Sequence, residues 1–98
     1  MATLLPRRRL DDPNRPWRWG RSVSTAQVSD GLVVVDERRG RTVHLNTTAA
    51  TMLRALLAGG QDAAITVVCQ RFGVTEDTAR DDLSALITDL ARRKLVRR

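Results

Sequence analysis

The segment DGLVVVDERRGRTVHLN, residues 30–46, constrains the chain more than any other stretch. Leu32–Val35 is an unbroken run of aliphatic, mostly β-branched residues. Glu37, Arg38, Arg39 and Gly40 form a polar turn ending in a residue that can take a positive φ. Thr42, Val43, His44 and Leu45 then alternate polar and apolar, the period of a half-buried strand. This pattern predicts a hairpin. A hairpin alone is marginally stable in water, so one of its faces needs a helical cover. Its second strand would lie at a sheet edge, with a row of unpaired N–H and C=O groups open to another chain. Upstream, Ser22–Ser29 alternates weakly (SVSTAQVS) and is expected to be the first strand of a three-stranded antiparallel meander.

The helical cover follows directly. Asn46 or Thr47 is placed to cap a helix running through Ala58, with Ala50, Leu53, Leu56 and Leu57 on one face. Gly59 and Gly60 end it. A second helix begins near Asp62, with Ile65, Val68, Cys69 and Phe72 as its apolar stripe, and closes at Gly73. Thr75 is the candidate N-cap of a third helix. Glu76 and Asp77 suit its positive end, and Ala79, Leu83, Leu86, Ile87 and Leu90 form its apolar face. Leu95 and Val96 offer a last hydrophobic contact. The expected fold is α+β: a three-stranded antiparallel sheet followed by three helices, in a winged-helix-like arrangement.

Residues 1–21 read differently, as a basic arm with Pro6, Pro13 and Pro16 and both tryptophans, Trp17 and Trp19. The prolines forbid a continuous helix, and a flexible arm preceding a domain at 22–98 is expected. The tryptophans, flanked by Arg15, Arg18 and Arg21, could clamp onto the domain, a partner or a nucleic acid.

A formal charge of +6 suggests a nucleic-acid binder, but its distribution does not. Residues 1–21 carry +4 and residues 92–98 carry +5, leaving −3 on residues 22–91. The folded part is acidic. No window approaches the roughly 18–20 apolar residues of a membrane span, and no secretory signal is evident, so a cytoplasmic protein without membrane association is expected.

No catalytic or metal constellation is legible. His44 and Cys69 are the single residues of their kinds, too few for a zinc site, and Cys69 falls within a core stripe. Asp81 and Asp82 are adjacent on a helix and diverge by about 100°. No cofactor is expected. Two binding readings remain. The last two helices with the hairpin have the shape of a winged-helix DNA reader. Yet the would-be recognition helix carries Glu76, Asp77, Asp81, Asp82 and Asp89 against Arg80, and like charge would meet the phosphates. The alternative is a peptide. If the third helix packs beside the second hairpin strand, an extended peptide can add to Thr42–Leu45 and rest against the helix, with Asp82 able to pair with a basic residue.

The segments DGLVVVDERRGRTVHLNTTAATMLRALLAGG and VCQRFGVTEDTARDDLSALITDLARRKLV, in that order and spacing, resemble the PqqD-like family of precursor-recognition proteins. The resemblance spans residues 22–96 and is greatest to the small stand-alone members of lasso peptide biosynthesis. It implies a non-catalytic RiPP recognition element that binds the leader segment of a ribosomally made precursor by strand addition to the third strand. The site it implies is Arg41, Thr42, Val43, His44 and Leu45 on the strand, with Ala79, Asp82, Leu83 and Leu86 on the third helix. The implied partners are the precursor leader, a leader peptidase of the cysteine protease type, and indirectly the ATP-using cyclase. Two positions depart from the pattern: Val43 stands where Tyr or Trp is common, and Lys94 stands where the third helix usually ends in Gly.

Overall fold

A computed structural model of the chain describes residues 16–98. Its order is β1 (Arg18–Trp19), β2 (Val23–Val28), β3 (Gly31–Asp36), β4 (Arg41–Asn46), α1 (Thr47–Gly59), α2 (Gln61–Phe72), α3 (Glu76–Arg92) and β5 (Val96–Arg97). β2, β3 and β4 form an antiparallel meander with β3 in the centre. β1 and β5 pair separately, Trp19 opposite Val96 and Arg18 opposite Arg97. The expected α+β architecture, three strands followed by three helices, is therefore the observed one.

Alternation explains how the sheet is covered. Leu32, Val34 and Asp36 of β3 are buried, while Val33 and Val35 point to the other face and are half-exposed. α1 packs against β3 and β4, and α3 against α2 and β5. The core runs from Leu32, Val34 and Leu45 of the sheet through Ala50, Met52, Leu53 and Leu56 of α1. It continues through Ala64, Ile65 and Val68 of α2 to Ala79, Leu83 and Leu90 of α3. The inner face of β2 receives less cover: Thr25 and Gln27 stay exposed, and the Arg54 guanidinium of α1 reaches Gln27 Oε1.

Local chemistry sets the helix ends. Asn46 Oδ1 accepts the Ala49 N–H at 2.8 Å, and Thr75 Oγ1 accepts the Thr78 N–H at 3.2 Å. α3 ends in a Schellman motif: Leu95 N donates to Leu90 O at 2.9 Å and Lys94 N to Ala91 O at 3.0 Å. Leu90 and Leu95, the two residues that the motif brings into contact, are both fully buried. Lys94 sits at φ 62°, the one positive-φ residue other than glycine among the described residues.

Two sequence expectations need adjustment. Phe72 does not complete the stripe of α2. As the last residue of that helix it projects past the core and is 37% exposed, while Ala64 takes a fully buried place. The described end of the expected arm, residues 16–21, is built into the fold. Trp17 and Trp19 both pack on the core, Gly20 N donates to Leu95 O at 2.8 Å, and the Arg98 guanidinium lies 4.6 Å from the Trp17 ring centre. A side chain at Gly20 would collide with the Lys94 carbonyl, which permits this close approach only to glycine. The remainder of the arm, residues 1–15, lies outside the described residues.

Asp36 is the one buried charged residue of the described chain, 1% exposed. Its carboxylate accepts the Arg39 N–H at 3.1 Å and the Arg39 guanidinium at 3.2 Å, which closes the β3–β4 turn. Burial pushes the Asp36 pKa up, but the combined Arg39 backbone and side-chain hydrogen bonds and its charge prevail, and the pKa falls below the ordinary 3.8.

Two outcomes follow. An Asp36→Asn variant is less stable than wild type near neutrality. Because the folded-state pKa is depressed, that gap is present above pH 3.8 and closes as pH falls through the lower folded-state value, read by urea unfolding across pH. Lys94→Gly relieves a left-handed side-chain conformation and raises stability by about 1 kcal/mol, measured as a shift in the urea midpoint without a change in slope.

Candidate functional site

The outer edge of β4 is the natural place to look, and its hydrogen-bonding parity can be worked out. In an antiparallel pair, alternate residues turn both backbone groups toward one neighbour or the other. Glu37 N donates to Ser22 O at 2.9 Å, which assigns Val35 and Val33 of β3 to β2, and Asp36, Val34 and Leu32 to β4. Their partners Arg41, Val43 and Leu45 therefore direct their backbone groups inward. Gly31 agrees. A Cβ built there would fall 1.8 Å from the Leu45 carbonyl oxygen, so that oxygen points toward β3. The outward N–H and C=O groups of β4 belong to Thr42, His44 and Asn46.

Side chains alternate out of phase with this. Val43 is half-buried and Leu45 buried, both on the helix side. Thr42 and His44 are exposed on the opposite face, where His44 Nε2 lies 3.2 Å from Asp30 Oδ1. His44 can thus offer a partner its backbone, while its imidazole points away from the helices. A dyad with Cys69 is not possible from that face, because Cys69 packs on the core from α2. No group of three His, Cys, Asp or Glu residues suited to a metal occurs among the described residues.

α3 supplies the other wall. Ala79, Leu83 and Leu90 mark its core-facing line and are buried. At about 100° per residue, Leu86, Asp82, Asp89 and Arg93 fall on one flank, and Ile87, Arg80 and Ser84 on the other. The second flank lines a cavity of ≈ 320 Å³ with Trp17, Gln61, Ile65 and Arg98. The first ends at Arg93, whose carbonyl accepts a long 3.4 Å hydrogen bond from Arg41 Nη2 at the start of β4. On these two elements Val43 and Leu86 are half-buried and apolar, and Asp82 is an exposed carboxylate.

Of the nine residues singled out from the sequence, Arg41, Thr42, Val43, His44, Asp82 and Leu86 are accessible. Leu45, Ala79 and Leu83 are core residues. Sequence reasoning missed the clasp between the two elements, where Arg93 Nε is held by Asp89 Oδ1 at 3.1 Å and Arg93 O receives Arg41. The i,i+4 spacing of Asp89 and Arg93 was the available signal. The exposed N-terminal half of α3 carries Glu76, Asp77, Asp81 and Asp82, and its Arg80 is tied to Glu76 at 3.3 Å. That surface repels a phosphate backbone. No described helix is long and apolar enough to cross a membrane.

Comparison with known proteins agrees with this architecture. The family model for coenzyme PQQ synthesis protein D (PqqD) matches residues 31–96. Among solved structures, a lasso peptide synthetase B1 complexed with the leader peptide is similar over 86% of this chain and 100% of its own, at 28% identity and a TM-score of 0.78. TbiB1 in complex with the TbiA(beta) leader peptide shares the fold over 81% of this chain and 93% of its own, at 20% identity and a TM-score of 0.73. The comparison with curated proteins returns no match. With two thirds of its length under the family model and the meander and helices in the matching order, this chain belongs to the PqqD family.

Proposed function

We propose that the protein is a non-catalytic recognition element that binds the leader segment of a ribosomally synthesised precursor peptide. The leader adds as a strand to β4, and the protein presents it to a separate leader peptidase of the cysteine protease type in lasso peptide biosynthesis. The observation that carries this reading is the open edge of β4, with the backbone groups of Thr42 and His44 directed outward and Val43 half-buried on the helix side. Main-chain hydrogen bonds supply affinity, and Val43 and Leu86 with Asp82 supply selection.

β2 is also a sheet edge, yet it offers less. Its helix-side residues Thr25 and Gln27 are polar and exposed, and Arg54 occupies the space beside Gln27. Of the two edges of the described meander, β4 is the one whose outward amides accompany half-buried and buried apolar side chains, Val43 and Leu45, on the helix side. The structural relative with 28% identity is itself a leader-peptide complex, which supports the same ligand class here. Val43 presents less surface than the aromatic residue usual in the family, so the site suits a bulky side chain contributed by the peptide.

Fluorescence polarisation with a labelled leader peptide encoded beside this gene tests the proposal. Saturable binding is expected, and its absence at tens of micromolar with a folded protein sinks the reading. Proline substitutions separate the edge from the ladder. Thr42→Pro or His44→Pro removes an outward N–H and weakens binding about fivefold or more while the protein stays folded. Val43→Pro removes an N–H from the β3–β4 ladder and lowers the melting temperature instead. Equal loss of binding from all three variants, with no change in melting, would contradict the assignment of the edge.

A further inference from the structure

A second site lies away from the β4 edge. A cavity of ≈ 400 Å³ opens between the β1–β2 turn, the β3–β4 turn and the junction of α3 with β5. Arg21, Arg38, Arg39, Lys94 and Arg97 line it, with Asp36 the one carboxylate among the described residues that do so. Asp36 is already committed to Arg39. Arg21, Arg38, Lys94 and Arg97 make no ion pair among the described residues. The Arg97 Nε is buried and has no hydrogen-bond partner among those residues. Burial and the charges of Arg18 and Arg21 also lower the Arg97 pKa, so its cation is poorly compensated.

These cations do not come from one run of sequence. Three separate segments contribute, around Arg21, Arg38–Arg39 and Lys94–Arg97, and the fold brings them to one cavity. Lys94 has an independent reason to be basic, since it follows the negative end of α3. That reason does not extend to Arg21, Arg38 or Arg97. We propose that this cavity is an anion site that docks an acidic segment of a partner polypeptide.

The chemistry favours a polypeptide over a nucleic acid. Among the described residues no aromatic lines the cavity to stack a base, and the exposed acids of α3 repel a duplex. Carboxylates on a flexible chain can reach several guanidinium groups within a cavity of this size, and bidentate Arg–carboxylate pairing rewards that arrangement. The residues that line it are distinct from Thr42, Val43 and His44 of the β4 edge.

The test uses the full chain and a dye-labelled hexaglutamate peptide at low salt. Saturable binding that weakens with added salt is expected, with amide shifts at Gly20 and Ser22 in two-dimensional NMR. Arg21 and Arg38 are exposed, so the Arg21→Gln/Arg38→Gln double variant folds, and it weakens binding roughly tenfold. The Arg54→Gln/Arg71→Gln double variant removes the same charge elsewhere and stays within about twofold of wild type. Equal losses in the two double variants would reduce the effect to net charge and overturn the proposal. So would absence of saturable binding, shifts confined to other residues, or tighter binding of an oligothymidylate that is lost with Arg21 and Arg38.

Discussion

The close approach of the Leu45 carbonyl to Gly31 is the contact on which the functional geometry depends. It fixes the end of the β3–β4 register, and the Asp36–Arg39 pair fixes the other end at the turn. Side chains alternate with a period of two, so a slip of one residue would exchange the inner and outer sets of β4. Val43 and Leu45 would leave the helices, and Arg41, Val43 and Leu45 would present their amides to solvent in place of Thr42 and His44. Register is thus both a packing constraint and the choice of which backbone groups a partner strand can use.

In the proposed function, α3 bounds that edge. One stripe, Ala79, Leu83 and Leu90, is spent on the core. This leaves two flanks, one ending at the Arg41 hydrogen bond and one beside α2 and the tryptophan end of β1. The C-terminal end of α3 is held from several sides: the Schellman motif, the Arg41 hydrogen bond, and β5 packed below it. A wall fixed in this way before any ligand arrives needs no ordering on binding. In the proposed function, the conformational cost of strand addition then falls mainly on the incoming peptide.

Much of this was legible in the sequence because it rests on local chemistry. The Asn46 and Thr75 caps, the glycine ends of α1 and α2, and the alternation of Thr42–Leu45 each depend on residues a few positions apart. The resemblance to PqqD-like proteins matches the observed family and fold. The parity of the β4 amides was not legible, because it follows from how the Asp36–Arg41 turn closes and not from side-chain type. The β1–β5 pairing was also hidden. It joins strands of two residues across most of the chain, with no room for an alternation pattern, and prolines upstream made the whole arm read as loose. Periodicity puts Ala79, Leu83 and Leu86 on one face of α3 but does not separate the depth of the first two from that of Leu86.

Charge is arranged along α3 in a way that serves the helix first. Glu76 and Asp77 sit at its positive end, and Arg92, Arg93 and Lys94 at its negative end. This ordering accounts for the acids of the first turn and the cations at the last, so neither group by itself signals a ligand. Arg21, Arg38 and Arg97 are different, because they lie on other elements and gain nothing from the dipole of α3. Gathering them beside Lys94 opposes folding through like-charge repulsion, and Asp36, the one carboxylate among the described residues lining the cavity, is already paired. A cost that the fold itself does not recover is the physical reason to look for an anion there, just as the outward amides of Thr42 and His44 are the reason to look for a strand on β4.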